Sequence, residues 1–553
     1  MATAPSVQRP RFNPSNSSCV NDVRPLHHDV PSLHNSDFSP LHFRFQSLVS
    51  CPADVPLELF ETAVSQLIHH PEYNSTLILR SETISDSDTT IPTSAPCLGG
   101  YCPVRNVHRK LLPRRPGRDL GLEQHCTLYA FETGEFAGLP SLLVLTPLVP
   151  EGESLPYYHP TVSHLAFRFI PSNITTTSDS ASAQPALRIE VIPLPGTPTD
   201  PNSRLYRTAL ALLDTLHRYL WGALTHYQKR VQHDVLIPRE VYQDVYLKMR
   251  ERHKGIVNTW RETTDPLKHV FEDIGIATFL MLFWKDTFAA SADVADMKEL
   301  GDSRWTSWPR PSGGFLDLGC GNGLLTHILS AEGYMGCGID LRARTSWAHY
   351  PDSSQVALKV HALDPTQLLS PDNSNDEEKS FWKPGVFLIG NHADELTPWL
   401  PVLATLTGAS GYLSIPCCAW MFDERFTRSS AASALDFSDN KLLDATTGVV
   451  LSEAEDEAAF ISSLGMGAEG THKSQYSAYR IWLARLSRWL GWKIECDTLR
   501  IPSTRNWAIV GRERLSGDQS IFVDRARRIV EDVARRGAFK TRTPEGKGHD
   551  GAS

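Results

Sequence analysis

Phe315-Leu316-Asp317-Leu318-Gly319-Cys320-Gly321-Asn322-Gly323 is the stretch from which the rest of the chain can be read. A short apolar run ends in an acid, and three glycines follow at every second position. Leu324, Leu325, Ile328 and Leu329 then recur at helical spacing. The pattern predicts a strand, a tight glycine turn and a helix with one apolar stripe. Glycine permits the sharp turn and leaves no Cβ between backbone and ligand. The free N–H groups of the helix start suit an anionic or polar ligand. Gly333 stands where a helix cap belongs. A second strand, Gly336-Cys337-Gly338-Ile339-Asp340, again ends in an acid. An acid about 20 residues past the first glycine can accept hydrogen bonds from both ribose hydroxyls of a nucleoside cofactor.

Two cofactors use such a turn. A dinucleotide prefers G-x-G-x-x-G, with the helix start aimed at pyrophosphate. Here the spacing is G-x-G-x-G, with Asp317 just ahead of it. A carboxylate at that strand end would repel pyrophosphate but suits the sulfonium and ammonium of S-adenosylmethionine. The motif therefore favours S-adenosylmethionine, with NAD as the alternative. The cofactor-binding candidates are Asp317, Gly319, Cys320, Gly321, Gly323, Asp340 and Asp364. Asp364 suits an adenine amino group, or else caps a helix beside Pro365.

The alternation continues downstream. Strands are expected at Gly314–Leu318, Gly336–Asp340, Val356–His361, Val386–Gly390 and Gly411–Ile415. Alternating β and α implies a mostly parallel sheet, with ligands at the carboxyl ends of its strands. The fold class expected is α/β: a Rossmann-like, class I S-adenosylmethionine-dependent methyltransferase domain with an N-terminal α+β accessory region. The divisions are 1–40, polar and disordered; 41–203, the accessory region; 204–300, a helical connecting section; 301–515, the methyltransferase domain; and 516–553, a basic helix and tail. Leu205, Leu212, Leu213, Leu216 and Leu220 carry the helical spacing after 204. Ser81–Pro96 and Ser172–Pro185 read as surface loops. Asp372–Lys379 and Thr427–Asp456 read as loop insertions. Gly275–Trp284 reads as a buried helix, flanked by Glu272, Asp273 and Lys285.

The 553 residues carry a net charge of −9, so the chain as a whole is not a basic nucleic-acid binder. RNA contacts would have to come from local patches. Ten scattered cysteines fit a reducing compartment, and the cytoplasm is expected. The first thirty residues have no apolar core, so no signal peptide is expected. The sequons at Asn16, Asn74 and Asn173 are then without consequence. No apolar run is long enough to span a membrane.

Asn391, His392, Asp394 and Glu395 follow the fourth strand and are the catalytic candidates. Methyl transfer is an in-line displacement that needs orientation first, and a base or cation helps remove a hydroxyl proton. Asp394 and Glu395 can equally cap the helix that Thr397-Pro398 begins. Pro416-Cys417-Cys418 offers a thiol nucleophile for base methylation, or simply small apolar residues closing a strand. Cys97, Cys102, His108, His125 and Cys126 have irregular spacing for zinc, and no metal is expected. Arg342 and Arg344 are the best placed to meet RNA phosphate. Arg109-Lys110, Arg114, Arg115 and Arg118 form a second basic cluster. Arg525, Arg527, Arg528, Arg535 and Arg536 form a third, in a helix spanning Ile521–Lys540.

Several blocks resemble a known family. They are Leu316–Leu325; Gly338–Arg344 with Ser346-Trp347 and Tyr350-Pro351; Leu388–Trp399; and Ile415-Pro416-Cys417-Cys418. Upstream stand Pro113-Arg114-Arg115, Pro156–Pro160 and Thr264-Asp265-Pro266-Lys268 with Glu272-Asp273. Downstream stand Lys473–Tyr476 and Leu499–Arg505. Together they resemble the eukaryotic tRNA uridine 2′-O-methyltransferases that act on serine tRNA, over roughly residues 100–510. The Asn-His-x-Asp-Glu-Leu-Thr-Pro-Trp block is the most specific. The resemblance implies S-adenosylmethionine as cofactor, serine tRNA as partner and the 2′-hydroxyl of uridine-44 as target. Arg114 and Arg115, whose basic cluster lies inside one of these blocks, are candidate RNA contacts. Some relatives are expected to end in a Cys₃His zinc finger, and none is expected here. Alternatives are an RNA base methyltransferase acting through Cys417, a non-catalytic cofactor-binding tRNA-associated protein, and an NAD-dependent oxidoreductase.

Overall fold

The structure is a computed structural model that describes residues 9–16, 45–150, 152–172, 184–227, 232–289, 304–369, 376–428, 453–466 and 474–540. Most of 1–40, most of the Ser172–Pro185 tract and most of Thr427–Asp456 lie outside them, as does part of Asp372–Lys379. The chain forms two compact units, Met1–Tyr227 and Gln228–Ser553.

The first unit is one antiparallel sheet with two helices on one face. Its elements are β1 (Ser15–Asn16), β2 (Gln46–Pro52), α1 (Phe60–His69), β3 (Ile78–Ser87), β4 (Tyr101–Pro113), β5 (Leu122–Phe131), β6 (Pro140–Leu148), β7 (Val162–Ile170), β8 (Ala186–Pro193) and α2 (Arg204–Leu224). The strand order is β1-β2-β8-β7-β6-β5-β4-β3. Leu205, Ala209, Leu213, Leu216 and Leu220 form the buried stripe of α2. They pack with Leu48, Phe60, Val64, Phe167, Ile189 and Val191 of α1 and the sheet. Ser203 caps the helix, accepting from Tyr206 N–H at 3.1 Å.

Two expectations change here. The connecting section does not begin at 204, because the apolar stripe of α2 belongs to the first unit's core. Ser81–Ser87 is not loop: it is the outer half of edge strand β3, paired with β4 from Leu111 to Asn106. An edge strand with an exposed face tolerates the Ser/Thr/Asp composition that reads as loop in the sequence.

The second unit runs α3 (Arg239–His253), α4 (Pro266–Phe288), β9 (Phe315–Leu318), α5 (Leu324–Ala331), β10 (Gly336–Asp340), α6 (Asp352–Ala357), β11 (Leu358–Val360), α7 (Asp376–Phe381), β12 (Phe387–Asn391), α8 (Trp399–Thr407), β13 (Gly411–Ile415), α9 (Glu453–Ser463), α10 (Gln475–Trp489), β14 (Trp492–Thr498), β15 (Trp507–Arg514) and α11 (Gln519–Arg536). The sheet order is β11-β10-β9-β12-β13-β15-β14. Its first five strands are parallel and β15 is antiparallel to both neighbours. Order reverses between β9 and β12, which creates the topological switch point.

Alternate residues along each strand enter different cores. Phe315, Phe387, Ile389, Leu413 and Val510 face α3, α4 and α5. Leu316, Leu318, Leu388 and Tyr412 face α8, α10 and α11. Helix α4, capped by Asp265 with Pro266 in its first turn, is buried from Glu272 to Trp284. Among the described residues no helix is long and apolar enough to cross a membrane. Helix α11 is part of this core through Ala526, Ile529, Val530 and Val533. Its arginines are largely committed. Arg525 is buried and donates to the Trp489 carbonyl at 2.8 Å, while Arg527, Arg535 and Arg536 pair with Asp524, Asp532 and Asp423.

Candidate active site

A cavity of about 680 Å³ opens at the carboxyl ends of β9, β10, β12 and β13. That volume lies in the range of small-molecule sites, about 300–1,000 Å³. The glycine loop forms one wall. Gly319, Gly321 and Gly323 all have left-handed φ, at 70°, 56° and 73°, which only glycine adopts without strain. Gly321 N–H donates to Asp340 Oδ2 at 2.9 Å, tying the loop to the end of β10.

Asp317, Gly319, Cys320, Gly321 and Asp340 line the cavity, as do Asn391, His392, Asp394, Glu395, Arg342 and Arg344. Two cofactor candidates do not. A Cβ on Gly323 would meet Leu358 at 2.8 Å and Trp347 Nε1 at 3.0 Å, so this glycine serves close packing at the start of α5. Asp364 caps a short turn, accepting from Thr366 N–H at 3.0 Å and Oγ1–H at 2.6 Å. Arg114 and Arg115 belong to the first unit, where Arg114 donates to the Ile78 carbonyl. Arg109 of the same cluster is 3% exposed and donates to the carbonyls of Leu67 and Ile68 and to Gln124. It is a structural arginine.

The floor is acidic and buried. Asp317 is 1% exposed. Its Oδ2 accepts from Thr326 Oγ1–H at 3.1 Å, while Oδ1 has no partner. Burial pushes its carboxyl up to about 7, Thr326 pulls it down and Asp340 pushes it up. Asp273 is held well above the usual range by burial, with Glu272 and Asp317 adding to it. An orphaned buried carboxylate oxygen invites a cation. S-adenosylmethionine fits this floor: Asp317 and its neighbours would face its positive charge, Asp340 its ribose hydroxyls.

In the sequence Glu272 and Asp273 read as helix-end charges. Both instead grip the loop after β12. Glu272 Oε1 lies 3.2 Å from His392 Nε2, and Asn391 Nδ2 donates to Asp273 Oδ1 at 3.3 Å. Burial pushes the Glu272 carboxyl up, but His392, Ser503 and Lys268 together bring it below the usual range. His392 and Asp394 hold left-handed φ of 56° and 44°. Two such non-glycine residues in one loop store strain of the kind found at functional sites. Lys268, Ser503 and Arg505 also line the cavity and were missed as site residues. The signal lay in the resemblance blocks, which include all of them.

Cys417 Sγ–H donates to Asp394 Oδ1 at 3.2 Å. Burial, then the Asp394 charge, push this thiol up, the reverse of what an activated nucleophile requires. Asp394, Cys417 and Cys418 have ligand atoms within 4.8 Å of one another. The set around Cys97 makes no such group among the described residues. His108 instead packs on His125 at 4.6 Å and bonds Glu123.

A doubly wound sheet with a glycine loop, an acid at the end of its second strand and a buried carboxylate with an unpartnered oxygen at its switch point fits an S-adenosylmethionine-dependent methyltransferase. The comparisons agree. Residues 236–365 match the family "Predicted AdoMet-dependent methyltransferase", and residues 24–230 match "TRM44-like, N-terminal bet v1-like domain". The chain is 33% identical over 520 residues to the tRNA (uracil-O(2)-)-methyltransferase of Schizosaccharomyces pombe, spanning 88% of this chain and 90% of that protein. It is 31% identical over 552 residues to the protein of the same name from Neurospora crassa, spanning 93% and 95%. The Yarrowia lipolytica protein of that name is 30% identical over 573 residues, 89% and 94% covered. No solved structure matches the chain. The chain belongs to the tRNA (uracil-O(2)-)-methyltransferase family.

Proposed function

We propose that this protein transfers a methyl group from S-adenosylmethionine to the ribose 2′-hydroxyl of a uridine in tRNA, and that the target is uridine-44 of serine tRNA. The observation that carries the chemistry is the buried acidic floor, with its orphaned Asp317 oxygen, opening beside the strained Asn391–Glu395 loop. The cofactor supplies an electrophilic methyl group. Asp317, Asp273 and Asp340 hold and orient it, and Glu272 and Asp273 fix His392 and Asn391 beside the acceptor. The names carried by the relatives support tRNA as substrate; the serine tRNA and position 44 rest on the resemblance of the motif blocks. We place the protein in the cytoplasm, a reading supported by free thiols at all nine described cysteines.

Transfer of labelled methyl to bulk tRNA, followed by nucleoside analysis, tests the reading. The expected product is 2′-O-methyluridine. A serine tRNA with 2′-deoxyuridine at position 44 should bind and accept no methyl group. Methylation of that RNA would overturn ribose chemistry, and a methylated base would point to Cys417. Label on tRNAs other than serine tRNA would overturn the finer assignment alone.

A further inference from the structure

The cavity is acidic at its floor and carries cations along its lining. Lys268, Arg342, Arg344 and Arg505 all line it, and among the described residues none of the four is in an ion pair. Elsewhere in this unit cations are routinely neutralised. Arg252, Arg500, Arg512 and Arg536 lie 2.8, 2.5, 2.6 and 2.9 Å from Glu332, Asp234, Glu495 and Asp423. In a chain of net charge −9, four cations outside any ion pair on the lining of one cavity offer a place for an anion from outside.

Arg505 is the most firmly preset. Its guanidinium carbon lies 3.8 Å from the centre of the Tyr476 ring, and that of Arg480 lies 4.8 Å from the same ring. The Tyr476 hydroxyl donates to the Pro416 carbonyl at 2.6 Å, which fixes the ring to the segment just past β13. A guanidinium carries five N–H donors, so one given to the Tyr476 oxygen leaves others for a phosphate. Arg505 N–H donates to Ser503 Oγ at 3.3 Å, and Ser503 also bonds Glu272, the acid that Lys268 faces from the same helix. Lys268 and the Ser503–Arg505 segment are therefore linked through Glu272 on the lining of the cavity.

We propose that Lys268 and Arg505, with Arg342 and Arg344, form a rim that grips RNA phosphates flanking the nucleotide admitted to the cavity. The floor carboxylates repel the backbone, so the phosphates stay at the rim while one nucleoside enters. This rests on the tRNA reading above. The test is the affinity of the full chain for bulk tRNA across a potassium chloride series. Arg505→Ala and Lys268→Ala should each lower the slope of log K against log salt by about 1. Binding of S-adenosylhomocysteine should be unchanged in both, since the floor is intact. Arg505→Lys should keep the slope but lose kcat/KM, because an ammonium cannot reproduce the stacked fork. Arg527→Ala, on α11, should leave the slope alone. Wild-type slopes in Arg505→Ala and Lys268→Ala would overturn the rim. Should Arg505→Ala lose cofactor binding, Lys268→Ala and Arg505→Gln decide. A wild-type protein that neither binds nor methylates tRNA would overturn the functional reading instead.

Discussion

Asp340 and the glycines divide the site into parts that can be tested separately. Asp340→Ala removes a carboxylate from the ribose position and should weaken S-adenosylhomocysteine binding about 10- to 150-fold, read by calorimetry. An unchanged dissociation constant would refute the assignment. Gly321 and Gly323 should part company. A Cβ on Gly321 meets nothing within 4 Å, whereas one on Gly323 meets Leu358 and Trp347. Both carry the strain of a left-handed φ. Gly321→Ala should therefore lose cofactor affinity beyond its loss of stability. Gly323→Ala should chiefly lower the melting temperature. Asp317 sets a pH dependence. Its folded-state value is raised from 3.8 to about 7, so its contribution to stability is fully present below 3.8 and is lost as pH rises through about 7. Binding of the cationic cofactor runs the other way. It should weaken by up to about tenfold per unit as pH falls below about 7, and Asp317→Asn should flatten that profile.

At the scale of elements, the central parallel strands β9, β12 and β13 were legible because both of their faces are buried and the apolar runs stand out between glycines. Gly336–Asp340 and Gly411–Ile415 have the expected bounds, and the other three are displaced or shortened at their ends. Helix α2 was legible as a helix but not as a member of the first unit, since a stripe of leucines does not name the surface it covers. Its Leu213 is 0% exposed in that core. Leu213→Ala should cost about 2–5 kcal/mol in denaturant unfolding of the first unit. A loss below about 1 kcal/mol would mean that the helix packs loosely on the sheet. Strand β3 escaped notice for a related reason: an edge strand needs partners for its backbone, and those partners are distant in sequence.

For the molecule as a whole, every residue lining the cavity falls between Lys268 and Arg505, inside the second unit. A fragment of residues 228–553 should therefore bind S-adenosylhomocysteine within about threefold of the full chain. Calorimetry on the fragment checks this. Loss of binding in a folded fragment would show that the first unit shapes the cavity. The charge distribution follows the same logic. A net charge of −9 hides the unpaired cations, because net charge sums over paired and unpaired groups alike.

The sequence by itself determined the strand, glycine turn and helix at Phe315–Leu329, the two acids at the strand ends, and the cofactor class that such acids suit. Those are local patterns, and local backbone rules decide them. It also marked Asn391–Glu395 as a loop after a strand, and so near the crevice. Only the tertiary structure decided that Gly323 and Asp364 serve packing and capping. It alone brought Glu272 and Asp273 from a helix to grip His392 and Asn391. The same holds for Arg505, stacked on Tyr476 from a different element. Burial, orphaned oxygens and unpaired charges are relations between distant segments. A side chain's role depends on which partner satisfies it, and that partner is chosen by the fold.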